Sequence, residues 1–113
     1  MAMFFVRRLV PPAVAVVGEV CSAATVAAAG VSSSSKIPLI SPAATSPALS
    51  GEDLFFRTVP SDRFQGQAAA NLLIRKGYRN VAMVYEDAAY GYGLAFNFMA
   101  SFTKGRLVGP HIQ

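Results

Sequence analysis

The chain has 113 residues, 53% of them hydrophobic and 14% charged, which suits one packed unit and excludes a disordered segment. Ten Lys and Arg against six Asp and Glu leave a formal charge of +4. The cations are scattered (Arg7 and Arg8, Arg57, Arg63, Arg75 with Lys76 and Arg79, Lys104 and Arg106), so a solvated surface is expected and a nucleic-acid partner is not.

Residues 1–12 are left unassigned. Two arginines followed by the apolar run Leu9–Val17 have the outline of a signal peptide, but Pro11-Pro12 interrupts it and Glu19 follows closely. A ragged start leading into a buried strand, Ala13–Gly18, is the preferred reading. Ser22 to Val31 is alanine-rich and predicts a helix capped by Ser22 and ended by Gly30 and Ser32–Ser35. Ile37–Ile40 predicts a second strand, with Pro38 at its start or edge. Ser41–Asp53 reads as a long loop, and long loops in compact domains are often functional. Leu54–Val59 predicts a strand, and Ser61-Asp62 opens the next helix. Phe64, Ala68, Ala69, Leu72 and Leu73 recur at helical spacing as its apolar face, and Gly77 stops it. Asn80–Tyr85 predicts another buried strand, with Glu86–Ala89 as its exit loop. A last helix carries Leu94, Ala95, Phe98, Met99 and Phe102, and Arg106–Val108 begins a further strand. Strands alternating with helices mean an α/β fold with a mostly parallel sheet, whose ligands bind at the carboxyl ends of the strands.

Three strand exits hold chemistry. At Gly18–Thr25 a strand turns into a helix start, where free N–H groups and the Ser22 hydroxyl form an anion site; helix capping by Ser22 explains the same residues without a ligand. In Ile40–Leu49 two prolines stiffen a loop that leaves the Ala43-Ala44 backbone and the Thr45 hydroxyl accessible, although an ordinary Ser/Thr-rich turn looks the same. Tyr85–Leu94 contains Gly91-Tyr-Gly93, but Phe96 stands where a dinucleotide fingerprint needs its third glycine. Tyr90 either lays its ring against a ligand or packs on the sheet edge. Glu86 and Asp87 read as solvated loop charges. No nucleophile elbow, Cys-x-x-Cys or His-Glu-x-x-His is present, so no cofactor, metal or catalytic turnover is expected. Cys21 has no partner for an internal disulfide.

Taken in order, Val16-Val-Gly-Glu-Val-Cys-Ser-Ala-Ala-Thr, Ile37-Pro-Leu-Ile-Ser-Pro-Ala-Ala-Thr-Ser-Pro-Ala-Leu, Phe56-Arg-Thr-Val-Pro-Ser-Asp-x-Phe-Gln-Gly, Gly77-Tyr-x-Asn-Val-Ala and Tyr85-Glu-Asp-x-x-Tyr-Gly-x-Gly-Leu-Ala resemble the branched-chain (leucine/isoleucine/valine) amino-acid-binding proteins of ABC importers. The resemblance runs from about Ala13 to Val108. It implies a partial doubly wound, Rossmann-like parallel sheet of a type I periplasmic binding protein lobe, with residues 13–113 as part of the N-terminal lobe. It also implies a clamshell that closes on its ligand, with the second lobe following Gln113 and supplying the acidic partner of the ligand's ammonium. By the same resemblance, Ser22 binds the α-carboxylate of a leucine-, isoleucine- or valine-like amino acid. Ala43 offers its carbonyl to the α-ammonium, Ala44 and Thr45 complete that clamp, and Tyr90 lines the pocket. The implied partner is an importer permease, and the implied location is periplasmic or extracellular. The alternative is a small secreted or nucleotide-binding α/β domain, which needs a phosphate loop or an acid/base pair that the residues do not supply.

Overall fold

The computed structural model describes residues 2–9 and 12–108. In chain order the elements are α1 (Ala2–Leu9), β1 (Val16–Val17), α2 (Ser22–Ser34), β2 (Leu39–Ser41), a 3-10 helix (Pro47–Gly51), β3 (Phe55–Arg57), α3 (Asp62–Arg75), β4 (Asn80–Val81), α4 (Ala89–Ser101) and β5 (Arg106–Leu107). Helices and strands alternate as expected, and every strand pair is parallel. The strands nevertheless form two sheets. β1, β2 and β3 lie in that order, with Val16 opposite Leu39 and Leu39 opposite Phe55. β4 pairs only with β5, Asn80 facing Arg106.

The hydrophobic core divides the same way. One cluster joins Ala28, Ala29 and Val31 of α2 with Leu39, Ala44, Leu49 and Val6. The other joins Ala70, Phe98 and Phe102, with Leu73, Ile74, Val81, Met83 and Leu107 against them. The chain passes from the first to the second between β3 and α3. The two clusters meet where α4 packs on α2 and on the 3-10 helix.

Several expectations are corrected. The unassigned start contains α1, an eight-residue helix whose Val6 is buried and which packs on α2. Its Arg7 and Arg8 lie in the last turn, where the helix dipole favours cations. Pairing in the strand expected at Ala13–Gly18 is confined to Val16 and Val17, at the edge of its sheet, so Val14 and Val17 are exposed rather than buried. The strand expected at Asn80–Tyr85 is likewise short, and Val84 is exposed. On α3 the stripe expected at Phe64, Ala68, Ala69, Leu72 and Leu73 is not the buried one. Gly66 and Ala70 are buried, Phe64 is 63% exposed and Leu72 46% exposed. The small residues win because α4 approaches closely: a Cβ on Gly66 would lie 2.7 Å from the Phe98 amide nitrogen. Larger side chains at that phase would hold the two helices apart.

Helix ends follow from backbone accounting. Beyond α3, Gly77 (φ +82°) lets its own N–H reach the Ile74 carbonyl at 3.1 Å and the Tyr78 N–H reach the Leu73 carbonyl at 3.0 Å. This double bond from a left-handed residue satisfies carbonyls that a helix end otherwise leaves open. α2 ends with the same geometry: Lys36 N–H reaches Ser33 at 3.1 Å and Ile37 N–H reaches Ser32 at 3.0 Å. Here a lysine holds φ +56°. The helix therefore runs through Gly30 and into the serines expected to end it, and those serines staple it. Ser34 Oγ donates to the Val31 carbonyl at 2.9 Å, Ser32 Oγ donates to Ile37, and Ser33 Oγ to Asp53 at 2.6 Å.

Lys36 is exposed, so its side chain contributes little where it stands. Lys36→Gly is expected to raise unfolding free energy by about 1 kcal/mol, because glycine adopts the left-handed region without the Cβ clash. Urea denaturation of both chains is the check, and an unchanged or lower midpoint would count against strain at this cap.

Candidate functional site

The exits of β1, β2 and β4 open on one hollow of about 310 Å³, lined by Val20, Cys21, Ser22, Ala23, Ala43, Thr45, Glu86, Ala88 and Tyr90. Four of the five residues singled out by the sequence are thus brought together. Residues 20–45 come from the first sheet and residues 86–90 from the second, so the hollow lies between the two.

Ser22 begins α2, but it does not cap it. The capping position is Cys21, which makes no side-chain cap bond. Ser22 is 4% exposed, and its Oγ accepts from the Ser46 amide at 3.3 Å. That bond occupies an oxygen lone pair and leaves the hydroxyl proton available as a donor. Around it lie the first-turn amides of α2, which have no acceptor within the helix. Thr25 anchors the turn by donating from Oγ1 to the Cys21 carbonyl at 2.9 Å.

The loop after β2 is organised by Ser41. Its buried Oγ donates to the Glu19 carbonyl and accepts from the Ala43 and Ala44 amides at 3.3 and 3.0 Å. With its N–H turned inward, Ala43 lines the hollow, and no described donor takes its carbonyl. Ala44 departs from expectation. It is fully buried in the first core, its N–H is held by Ser41, and it does not line the hollow. Of Ala43, Ala44 and Thr45, the first and last border the hollow.

Thr45 has the opposite polarity to Ser22. Its Oγ1 donates to Asp62 Oδ2 at 2.8 Å, and its carbonyl accepts from the Asp62 amide at 2.9 Å. A carboxylate only accepts, so the Thr45 proton is committed to Asp62 and lone pairs alone remain for the hollow. Asp62 is 1% exposed, and its Oδ1 is buried without a partner among the described residues.

Asp62 is the residue that sequence reasoning missed. Next to Ser61, it read as part of a helix opening; Ser61 does cap α3, accepting from the Arg63 amide at 3.3 Å. Glu86, read as a solvated charge, is exposed and also borders the hollow. Its backbone is fixed by Gly91, where a Cβ would lie 2.3 Å from the Glu86 carbonyl oxygen. Gly93 abuts Pro47 in the same manner, 2.7 Å from a would-be Cβ. Both glycines serve close packing rather than a phosphate loop. Tyr90, 44% exposed, borders this hollow and a larger apolar one of about 450 Å³ under α3 and α4. Cys21 is a free, exposed thiol.

Thr45→Val is expected to destabilise the chain by about 3 kcal/mol, because it leaves both oxygens of a buried carboxylate unsatisfied. Thr45→Ser should stay within about 1 kcal/mol of the parent. Chemical denaturation distinguishes the two, and equal stability of the valine and serine variants would mean that Asp62 does not depend on this hydroxyl.

Known ligand-binding proteins share this fold. The family model described as receptor family ligand binding region matches residues 1–108. The chain is 36% identical over 93 residues to the Leu/Ile/Val-binding protein of Escherichia coli K12, covering 80% of this chain and 25% of that one. It is 37% identical over 89 residues to metabotropic glutamate receptor 6 of Oryctolagus cuniculus, covering 74% of this chain and 10% of the receptor. Among solved structures, an ABC transporter substrate-binding protein from Desulfitobacterium hafniense in complex with Leu superposes with a TM-score of 0.81 at 26% identity, over 99% of this chain and 35% of that one. The chain thus spans about a quarter of the length of the bacterial relative. With a family match over nearly its whole length and the same fold as a substrate-binding protein, the chain belongs to the receptor family ligand binding region family.

Proposed function

We propose that the hollow binds the zwitterionic head of an apolar, leucine-like amino acid, as part of the solute-binding component of an ABC importer. The observation that carries this reading is the opposed hydrogen-bond polarity of Ser22 and Thr45 in one hollow. Ser22 Oγ and the first amides of α2 are donors, which suits a carboxylate at a helix N-terminus. The Ala43 carbonyl and Thr45 Oγ1 are acceptors, with the Asp62 side chain bonded behind Thr45, which suits an ammonium. Val20 and Tyr90 offer apolar surface to a side chain. The names of the bacterial relatives support the same ligand class.

On this reading the acidic group at the ammonium end is Asp62, within the chain, and both cores belong to a fragment of one lobe of the receptor. A permease partner and a periplasmic or extracellular location belong to the proposal for the whole receptor. Among the described residues no helix is long and apolar enough to cross a membrane.

Binding should be weak in this chain, because Val20, Cys21 and Tyr90 are exposed around the hollow and leave a ligand side chain partly in water. A dissociation constant on the order of millimolar is expected for leucine. Heteronuclear NMR titration with leucine, leucinol (no carboxylate) and 4-methylpentanoate (no ammonium) tests the polarity. Ser22→Ala should weaken leucine and 4-methylpentanoate, and Asp62→Asn should weaken leucine and leucinol, each by about tenfold. No saturable response to leucine, or variants that weaken all three ligands alike, would defeat the assignment.

A further inference from the structure

The two ends of the hollow are held differently. Thr45 is held by Asp62 directly. Ser22 is held by the Ser46 amide, and Ser46 is itself suspended in the loop before the 3-10 helix, 2% exposed. Something must fix Ser46. The Ser46 carbonyl accepts from the Leu49 N–H at 3.2 Å and from Arg57 Nη1 at 3.0 Å, and Arg57 Nη2 donates to Ser50 Oγ at 2.6 Å. The guanidinium lies 6.0 Å from the centre of the Phe55 ring, two residues back on the same strand. A planar fork with two acceptors in fixed directions and an aromatic ring beside it has little freedom to turn. Arg57 is the last residue of β3, whose pairing with β2 extends to Ser41 opposite Arg57. The arginine therefore carries the geometry of the sheet to the start of the 3-10 helix.

We propose that Arg57 is a positioning residue for the carboxylate end of the site, acting through Ser46 on Ser22. Its guanidinium holds the Ser46 carbonyl, which aims the Ser46 N–H at Ser22 Oγ. That in turn keeps the Ser22 lone pair occupied and its proton free for an anion. Without the fork, the Ser46 carbonyl keeps only the longer bond from Leu49, the Ser46 N–H is aimed less tightly, and the Ser22 hydroxyl is freer to donate to a backbone carbonyl instead of to a ligand. Arg57 itself does not line the hollow. The inference rests on the reading of Ser22 as the carboxylate donor. Lysine cannot replace the arginine, because a single ammonium lacks the two parallel, co-planar donors.

The test uses Arg57→Lys, with Arg57→Gln as a second variant should lysine impair folding. In the ligand-free chain, amide hydrogen exchange is read at Ser46 and at Asp62, whose N–H bonds to the Thr45 carbonyl. Exchange at Ser46 should accelerate about fivefold or more while Asp62 stays within about twofold. In the ligand titrations, leucine and 4-methylpentanoate should weaken by about fivefold and leucinol by less than about twofold. Unchanged exchange at Ser46 overturns the proposal. So does equal acceleration at both amides, or equal weakening of all three ligands, since each marks a role in general stability alone. If the parent chain gives no response to leucine, the receptor reading fails and the exchange comparison still decides the role of Arg57.

Discussion

The closed pair of hydrogen bonds between Thr45 and Asp62 organises the rest of the molecule. One residue lies in the loop after β2 of the first sheet and the other begins the helix that opens the second core. Each gives a backbone or side-chain donor and each accepts one, so neither can turn without breaking both bonds. The Asp62 carboxyl group is nearly inaccessible, and one of its oxygens has no partner among the described residues. Burying such a group disfavours folding. Arrangements that cost stability in this way are retained where something other than stability is served.

Much of the site was legible from residue order alone. Apolar β-leaning runs ending at Gly18, Ser41 and Glu86 implied strand exits, and α/β folds put ligands there. That logic pointed to the three exits, where capping, an ordinary turn and edge packing explained the same residues; the resemblance to amino-acid-binding proteins singled out Ser22, Ala43, Thr45 and Tyr90, which the fold brings to one hollow. What was not legible depended on contacts distant in sequence. Asp62 and Thr45 are seventeen positions apart, and a Ser-Asp pair before a helix has a sufficient local explanation in capping. Ala44 looked as accessible as its neighbours until Ser41 was seen to hold its amide.

The misjudged stripe on α3 has a similar cause. Periodicity says that a helix has an apolar face, but the depth of burial on that face is set by whatever packs against it. Gly66 and Ala70 carry almost no hydropathic signal, yet they lie where α4 makes its closest approach. The same limit explains the sheets. Five β-leaning segments in alternation with helices are compatible with one sheet or with two, and only the long-range pairing of β4 with β5 in place of β3 decides between them.

Two separate hydrophobic clusters also bear on how cooperatively the chain comes apart. β1, α2 and β2 form one strand–helix–strand unit, and β4, α4 and β5 form another, each closed by contacts that run within its own stretch of chain. Such units open as separate foldons when the surface joining them is small. Here the join is the packing of α4 on α2 and the 3-10 helix together with the Thr45–Asp62 pair. Loss of one cluster need not drag the other with it, so a single unfolding free energy describes this chain only under conditions that keep the join intact.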